Sequence, residues 1–217
     1  MSICITGTGS YIPEIIKKNQ QFIDAKFLNS DGYDFKVSNE VIIKKFKSIT
    51  GIEERRYAKN DHNASDLAFF AAENAIKDAN IDQETLDYII VAHNFGDIKH
   101  GTKQIDQLPS LASRVKYNLG INNPDCVCYD LIFGCPGWIE GVIQANAFIK
   151  AGIAKKCLVI GAETLSRTFD TSDRDSMIFS DGAGATIIEK KDDNSNQGIL
   201  SHKSCTFSTE NTFDLFL

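Results

Sequence analysis

The 217-residue sequence predicts an α/β fold, on three observations. Short, wholly apolar runs of strand length recur along the chain. They alternate with amphipathic stretches of about 10 to 15 residues, the order that builds helices onto a sheet. The composition, with 42% hydrophobic and 24% charged residues and only 4 prolines, is that of an ordinary globular protein and excludes disordered and collagen-like classes. A chain of this size hides roughly 70% of its unfolded surface, so its core needs no disulfide scaffold.

Residues 3–5 are a β-rich run that the Gly7-Thr8-Gly9 turn signal is expected to stop, with Pro13 following. Residues 17–47 are expected as an inserted, surface-facing segment, with Lys17 and Lys18, a loop at Asn29-Ser30-Asp31-Gly32, and a helical pattern over 39–47. Val41, Ile42 and Phe46 would form the inner face of that pattern. Ser65 with Asp66 is expected to cap a helix running to about Asn80, with Leu67, Phe70, Ala71, Ala75 and Ile76 on one apolar face. Residues 88–92 are a strand. Residues 109–118 are a helix whose Leu111, Val115 and Leu119 are spaced by four and which Gly120 ends. Then come a buried strand at 126–133, a helix at 136–150, and strands at 156–161 and 184–189. Residues 190–197 read as a polar turn, and 198–205 as the start of one further strand.

Lys plus Arg number 23 against 29 Asp plus Glu, and the net charge of −6 repels a phosphate backbone. Nucleic acid is therefore not an expected partner. The six cysteines lie mostly in apolar runs, where a free thiol behaves as a small hydrophobe, which suggests a reducing compartment. With no leader pattern at the N-terminus and no apolar stretch of about 18 residues, the expectation is a cytoplasmic chain without a membrane span.

The most informative stretch is Leu131-Ile132-Phe133-Gly134-Cys135-Pro136-Gly137-Trp138. A strand ends at Gly134, Cys135 is expected at the helix N-cap, and Pro136 at the first helical position. The helix that follows is almost wholly apolar, with Trp138, Val142, Ala145 and Ile149 in one row and Ile139 and Ile143 in the next. It is expected to be buried on most sides. Unpaired N–H groups and the positive end of the dipole of such a helix favour thiolate at its first turn, which would make Cys135 a nucleophile. Position alone leaves open the plainer reading of one more buried small residue in a tight turn.

Taken in order, these residues resemble the N-terminal half of a thiolase-fold condensing enzyme of the 3-oxoacyl-(acyl-carrier-protein) synthase III group. The resemblance runs through Gly7-Thr8-Gly9-Ser10-Tyr11-Ile12-Pro13, Thr50-Gly51-Ile52-Glu53-Glu54-Arg55-Arg56-Tyr57, the helix and strand over 65–92, Pro109-Ser110-Leu111-Ala112 and the Cys135 elbow. It ends in Thr168-Phe169-Asp170-Thr171-Ser172-Asp173-Arg174 and Phe179-Ser180-Asp181-Gly182-Ala183-Gly184-Ala185. It implies a layered αβαβα fold of which residues 1–217 are the N-terminal domain, with the C-terminal half absent.

The resemblance also implies a reaction. Cys135 would accept an acyl group from an acyl-coenzyme A or acyl-carrier-protein thioester, and a malonyl-type thioester would then decarboxylate and condense with it, in fatty-acid or polyketide-type synthesis. The Cys135 N–H would be one oxyanion-hole donor. Arg174 would touch the coenzyme A end of the substrate, and Leu108 would reach across a homodimer. No permanently bound cofactor and no metal are expected. The family's catalytic histidine and asparagine have no counterpart here, since His62, His93, His100 and His202 do not align with that segment. The tryptophan and arginine that stack on adenine are also missing from Lys44-Lys45-Phe46-Lys47-Ser48-Ile49. Lys44, Lys45, Lys47, Arg55 and Arg56 could instead receive an acidic carrier protein or a phosphopantetheine phosphate, or be a solvated face.

Two other functions stand beside this one. A non-catalytic ketosynthase-like partner subunit would keep the fold, although the retained Cys135 argues against it. A cysteine hydrolase of α/β type would want small residues two positions either side of the nucleophile, where Phe133 stands instead. A zinc site from Cys126, Cys128 and Cys135 fails on spacing and on a fourth ligand. Gly7-Thr8-Gly9 lacks the third glycine of a dinucleotide loop.

Overall fold

The computed structural model describes residues 2–29, 31–191 and 198–213. Its elements run β1 (Ser2–Tyr11), β2 (Ile15–Lys18), α1 (Asn39–Thr50), β3 (Glu54–Tyr57), α2 (Ala64–Ala79), β4 (Tyr88–His93) and β5 (Asp97–Ile98). They continue with β6 (Ile105–Asp106), α3 (Leu111–Asn118), β7 (Val127–Ile132), α4 (Gly137–Lys150), β8 (Lys156–Thr164) and β9 (Asp181–Lys191). Five strands form one mixed sheet in the order β1-β9-β8-β4-β7. β7, β4 and β8 are parallel, and β9 and β1 are antiparallel additions.

Alternation along the strands sends successive side chains to opposite faces. Ile89, Val91, Leu158, Ile160 and Ile187 pack with α2 and α3 on one face. Ile90, Cys157, Val159 and Ile188 pack with Ala145 and Ile149 of α4 on the other. The result is a helix–sheet–helix sandwich, the α/β layering expected from the sequence.

Several boundaries differ from expectation, each for a physical reason. β1 runs straight through Gly7 and Gly9 instead of stopping there. The two glycines serve close approach to α2, since a Cβ at Gly7 would stand 2.5 Å from the Ala75 carbonyl oxygen and one at Gly9 would collide with the Ala71 carbonyl. The N-cap of α2 is Asn63, paired reciprocally with Asp66 in a capping box, and not Ser65. Ser65 is buried and gives both its N–H and its hydroxyl to Asp97, at 2.8 and 2.6 Å.

Residues 17–47 are not simply an inserted surface segment. Lys17 and Lys18 lie in β2, which pairs with β3, and Phe27, Ile42 and Phe46 form a small core of their own with Met177. Val41 faces outward instead of joining that core. No strand forms over residues 198–205; Ile199 donates one hydrogen bond to the Ile3 carbonyl, and residues 200–210 are exposed. Of the expected polar turn, residues 192–197 lie outside the described residues, and Lys190 and Lys191 end β9.

β7 is an edge strand and only half-buried, because among the described residues it pairs with β4 alone. α4 is likewise buried on one side only. Gly141 lets the helix lie directly on the sheet, where a Cβ would stand 2.7 Å from Val159, whereas Ile132 and Ile139 are 61% and 56% exposed.

Candidate active site

β7 stops at Ile132 and the chain turns through Gly134, whose φ of +70° suits glycine. The Gly137 N–H closes the turn on the Gly134 carbonyl at 3.0 Å, and the Pro136 carbonyl accepts the first helical bond, from Glu140 at 3.1 Å. Pro136 is thus the N-cap and Cys135 stands one residue before it, a shift of one from the expected placement. Gly137 is buried over β4, where a Cβ would come within 3.0 Å of the Ala92 Cβ, so this glycine lets the helix begin directly above the sheet.

The two readings of Cys135 separate here. Cys126 and Cys157 are buried small residues, and burial pushes the Cys157 thiol up to about 12. Cys135 is exposed, and among the described residues neither its thiol nor its N–H is engaged in a hydrogen bond. An exposed thiol and a backbone N–H unengaged among the described residues, at the head of a helix, are the kinds of group that acyl transfer through a thioester uses.

Polar side chains gather toward the C-terminal ends of the parallel strands; sequence reasoning named His93 only as a histidine outside the family's catalytic segment and singled out none of the others. Asp130 on β7 accepts from the first N–H groups of α3, Leu111 at 2.7 Å and Ala112 at 2.8 Å, and is 3.0 Å from His93 Nε2. His93 Nδ1 in turn accepts from the Gly96 N–H at 3.0 Å, which makes Nε2 the donor to Asp130. On β8, Glu163 Oε2 accepts from the N–H and the side-chain amide of Asn94, at 2.8 and 3.1 Å. Burial pushes the Glu163 carboxyl above its ordinary range. The sequence does carry a signal: each polar residue directly follows, or interrupts, an apolar strand.

Arg174 stands apart from this group, and no contact joins it to Cys135 among the described residues. It opens a short 3-10 turn, Arg174–Ile178, with its guanidinium over the Phe35 ring at 5.0 Å and 3.8 Å from Asp175. It lines a cavity of about 410 Å³ between this turn and α1, whose walls include Val37, Val41, Phe46 and Ile49. A half-exposed cation at the mouth of an apolar cleft can bind a phosphate while the walls take an uncharged chain.

Of the basic residues in this region, Arg55 is interior. It is buried and donates to the Met177 and Lys17 carbonyls and to Asn19 Oδ1, at 3.0, 2.9 and 2.5 Å. Lys47 pairs with Glu53 at 2.7 Å and Arg56 with Glu54 at 3.3 Å. Leu108, joined to Pro109 by a cis peptide, is 85% exposed and so is not a core leucine.

A sequence model of the family described as 3-Oxoacyl-[acyl-carrier-protein (ACP)] synthase III matches residues 129–206, which include the Cys135 elbow and Arg174. Beta-ketoacyl-[acyl-carrier-protein] synthase III 1 of Vibrio parahaemolyticus is 40% identical over 185 residues, 85% of this chain and 51% of the relative. The Clostridium acetobutylicum synthase III is 40% identical over 205 residues, 94% of this chain and 54% of the relative. The chain thus spans about half the length of the curated relatives it matches. The crystal structure of the Aquifex aeolicus 3-oxoacyl-[acyl-carrier-protein] synthase III superposes with a TM-score of 0.71 at 34% identity, over 88% of this chain and 55% of that one. In sequence and in fold, the chain is 3-oxoacyl-[acyl-carrier-protein] synthase III-like, with the thiolase-like α/β architecture of those relatives.

Proposed function

We propose that this chain carries the nucleophile of an acyltransferase that condenses thioesters by decarboxylation, in fatty-acid or polyketide-type synthesis. The observation that carries the reading is Cys135 itself: exposed, with an N–H that no described residue engages, at a strand-to-helix elbow built by Gly134 and Gly137. In the first half-reaction the Cys135 sulfur attacks the thioester carbonyl. The tetrahedral oxyanion is held by the Cys135 N–H, and collapse expels the carrier thiol and leaves the acyl group on Cys135. A malonyl-type thioester then loses carbon dioxide, and the carbanion formed attacks the acyl carbonyl carbon, so that the bond to the Cys135 sulfur breaks and Cys135 leaves as thiolate. The histidine and asparagine that family enzymes use for this step are not supplied by the described residues, in which His93 is committed to Asp130 and Gly96.

The acyl donor is a coenzyme A or carrier-protein thioester, with its phosphate end near Arg174. No metal and no permanently bound cofactor take part in this scheme. The working unit is a cytoplasmic homodimer in which exposed Leu108 reaches the partner's acyl pocket. No described helix is long and apolar enough to cross a membrane.

Intact mass spectrometry of the protein expressed from its natural gene, with a panel of acyl-coenzyme A thioesters, tests the reading. The expected result is an acyl adduct that Cys135→Ala abolishes. Absence of any adduct on the unsubstituted protein would favour a non-catalytic partner subunit, and an adduct that survives the substitution would move the nucleophile elsewhere.

A further inference from the structure

The sheet face beneath the start of α4 carries a group whose chemistry is unassigned. α4 runs against the direction of β8, with Gly141 over Val159 and Trp138 over Gly161. Side chains two residues apart on a strand share a face, so Glu163 lies on the α4 face, one step beyond the first turn of the helix. Asn94 follows Ala92, over which Gly137 sits. Asn94 and Glu163 therefore flank the space in front of the helix start, Asn94 just past the end of β4, the neighbour of the strand that delivers Cys135, and Glu163 on β8, one strand further.

The two oxygens of Glu163 are treated differently. Oε2 takes two N–H bonds from Asn94, whereas Oε1 is buried with no hydrogen-bond partner among the described residues. A buried carboxyl oxygen without a partner costs about 1–3 kcal/mol, and native structures retain such groups mainly where something uses them. With Oε2 already accepting, the proton of a neutral carboxyl resides on Oε1 and makes it a donor. The acceptor a thioester offers is its carbonyl oxygen.

We propose that Glu163, anchored through Oε2 by Asn94, hydrogen bonds through Oε1 to an oxygen of the acyl thioester bound at Cys135. Burial favours the neutral, donating form. Of the titratable groups on neighbouring elements, His93 opposes that form, by favouring the charged carboxylate. The others are Asp130 on β7, Cys135 and Glu140 at the elbow, and Asp181 on β9. Asp130 is committed to α3 and His93, Glu140 accepts from Ser204, and Asp181 accepts from Ala58 and Ser166. The inference rests on the acyl-transfer reading of Cys135.

The test is the rate of Cys135 acylation by acetyl- and octanoyl-coenzyme A, followed by intact mass in the protein from its natural gene, with Glu163→Gln and Glu163→Ala. Gln keeps a donor that cannot ionise. Glu163→Gln should load within a few-fold of the unsubstituted protein at low pH, and the ratio of unsubstituted to Gln rates should fall as pH rises through the Glu163 titration. Glu163→Ala should raise KM about tenfold, the loss of one buried hydrogen bond. A ratio that stays flat with pH overturns the proposal even if Glu163→Ala fails to fold, as does a folded Glu163→Ala protein that loads normally. If the unsubstituted protein shows no Cys135-dependent adduct, the acyl-transfer reading itself has failed, which needs no Glu163 variant to detect.

Discussion

Among the residues, Cys135 was legible because three local signals converge on it: a strand that stops, a glycine before it and a proline after it. Its exposure was not legible, since the same letters suit a buried turn. Arg55 shows the limit from the other side. In sequence it belongs with the basic residues around it, and only its contacts with Lys17, Asn19 and Met177, from segments far apart in the chain, make it an interior strut. Asn94 and Glu163 meet through the β4–β8 register, which no local pattern encodes.

Glu163 also makes a prediction about stability. Its folded-state carboxyl titrates above the 4.5 of an unperturbed glutamate. Between those two values the native state binds more protons than the unfolded one, so stability falls as pH rises through the interval and levels off above it. Gln has no such loss. Urea midpoints measured from pH 4 upward should show Glu163→Gln gaining on the unsubstituted protein as pH rises, and parallel curves would mean that Oε1 is solvated.

Among the elements, the main sheet strands and the helices followed from periodicity, and the early stop expected of β1 traces to glycines whose role depends on what crosses them. Gly7 and Gly9 read as a turn because a turn is the commonest local use of a Gly-x-Gly pair. In the fold they are a flat track for α2. Gly51, by contrast, does end a helix, at φ +71°, with open space where its Cβ would be. The two kinds of glycine predict different costs. Gly9→Ala drives a methyl into the backbone of α2 and should destabilise by about 3 kcal/mol, the upper range of overpacking. Gly51→Ala should cost only about 1–2 kcal/mol, for a left-handed alanine. Chemical denaturation of both variants measures the difference, and equal losses would show that β1 and α2 are not pressed together as described.

Over the whole molecule, the expectation that α4 and β7 are buried was a statement about surroundings, and surroundings are the level at which these residues do not close on themselves. Phe133 at 41%, Ile132, Ile139 and Leu108 leave large apolar side chains in water on a surface that otherwise carries a net charge of −6. Leu108 and β7 adjoin, because the Leu111 and Ala112 N–H groups at the start of α3 are held by Asp130 in the middle of that strand. A Leu side chain brought from this exposure to full burial gains about 1.5–3 kcal/mol, enough to matter to a weak association and too little to unfold a domain when lost. Leu108→Asp places a charge where the proposed homodimer would bury an apolar group. Light scattering of the natural protein should give twice the chain mass, and the variant should shift toward one chain with an unchanged unfolding midpoint. A monomer before substitution would count against the dimer, and a dimer indifferent to Leu108→Asp would place its interface on another face.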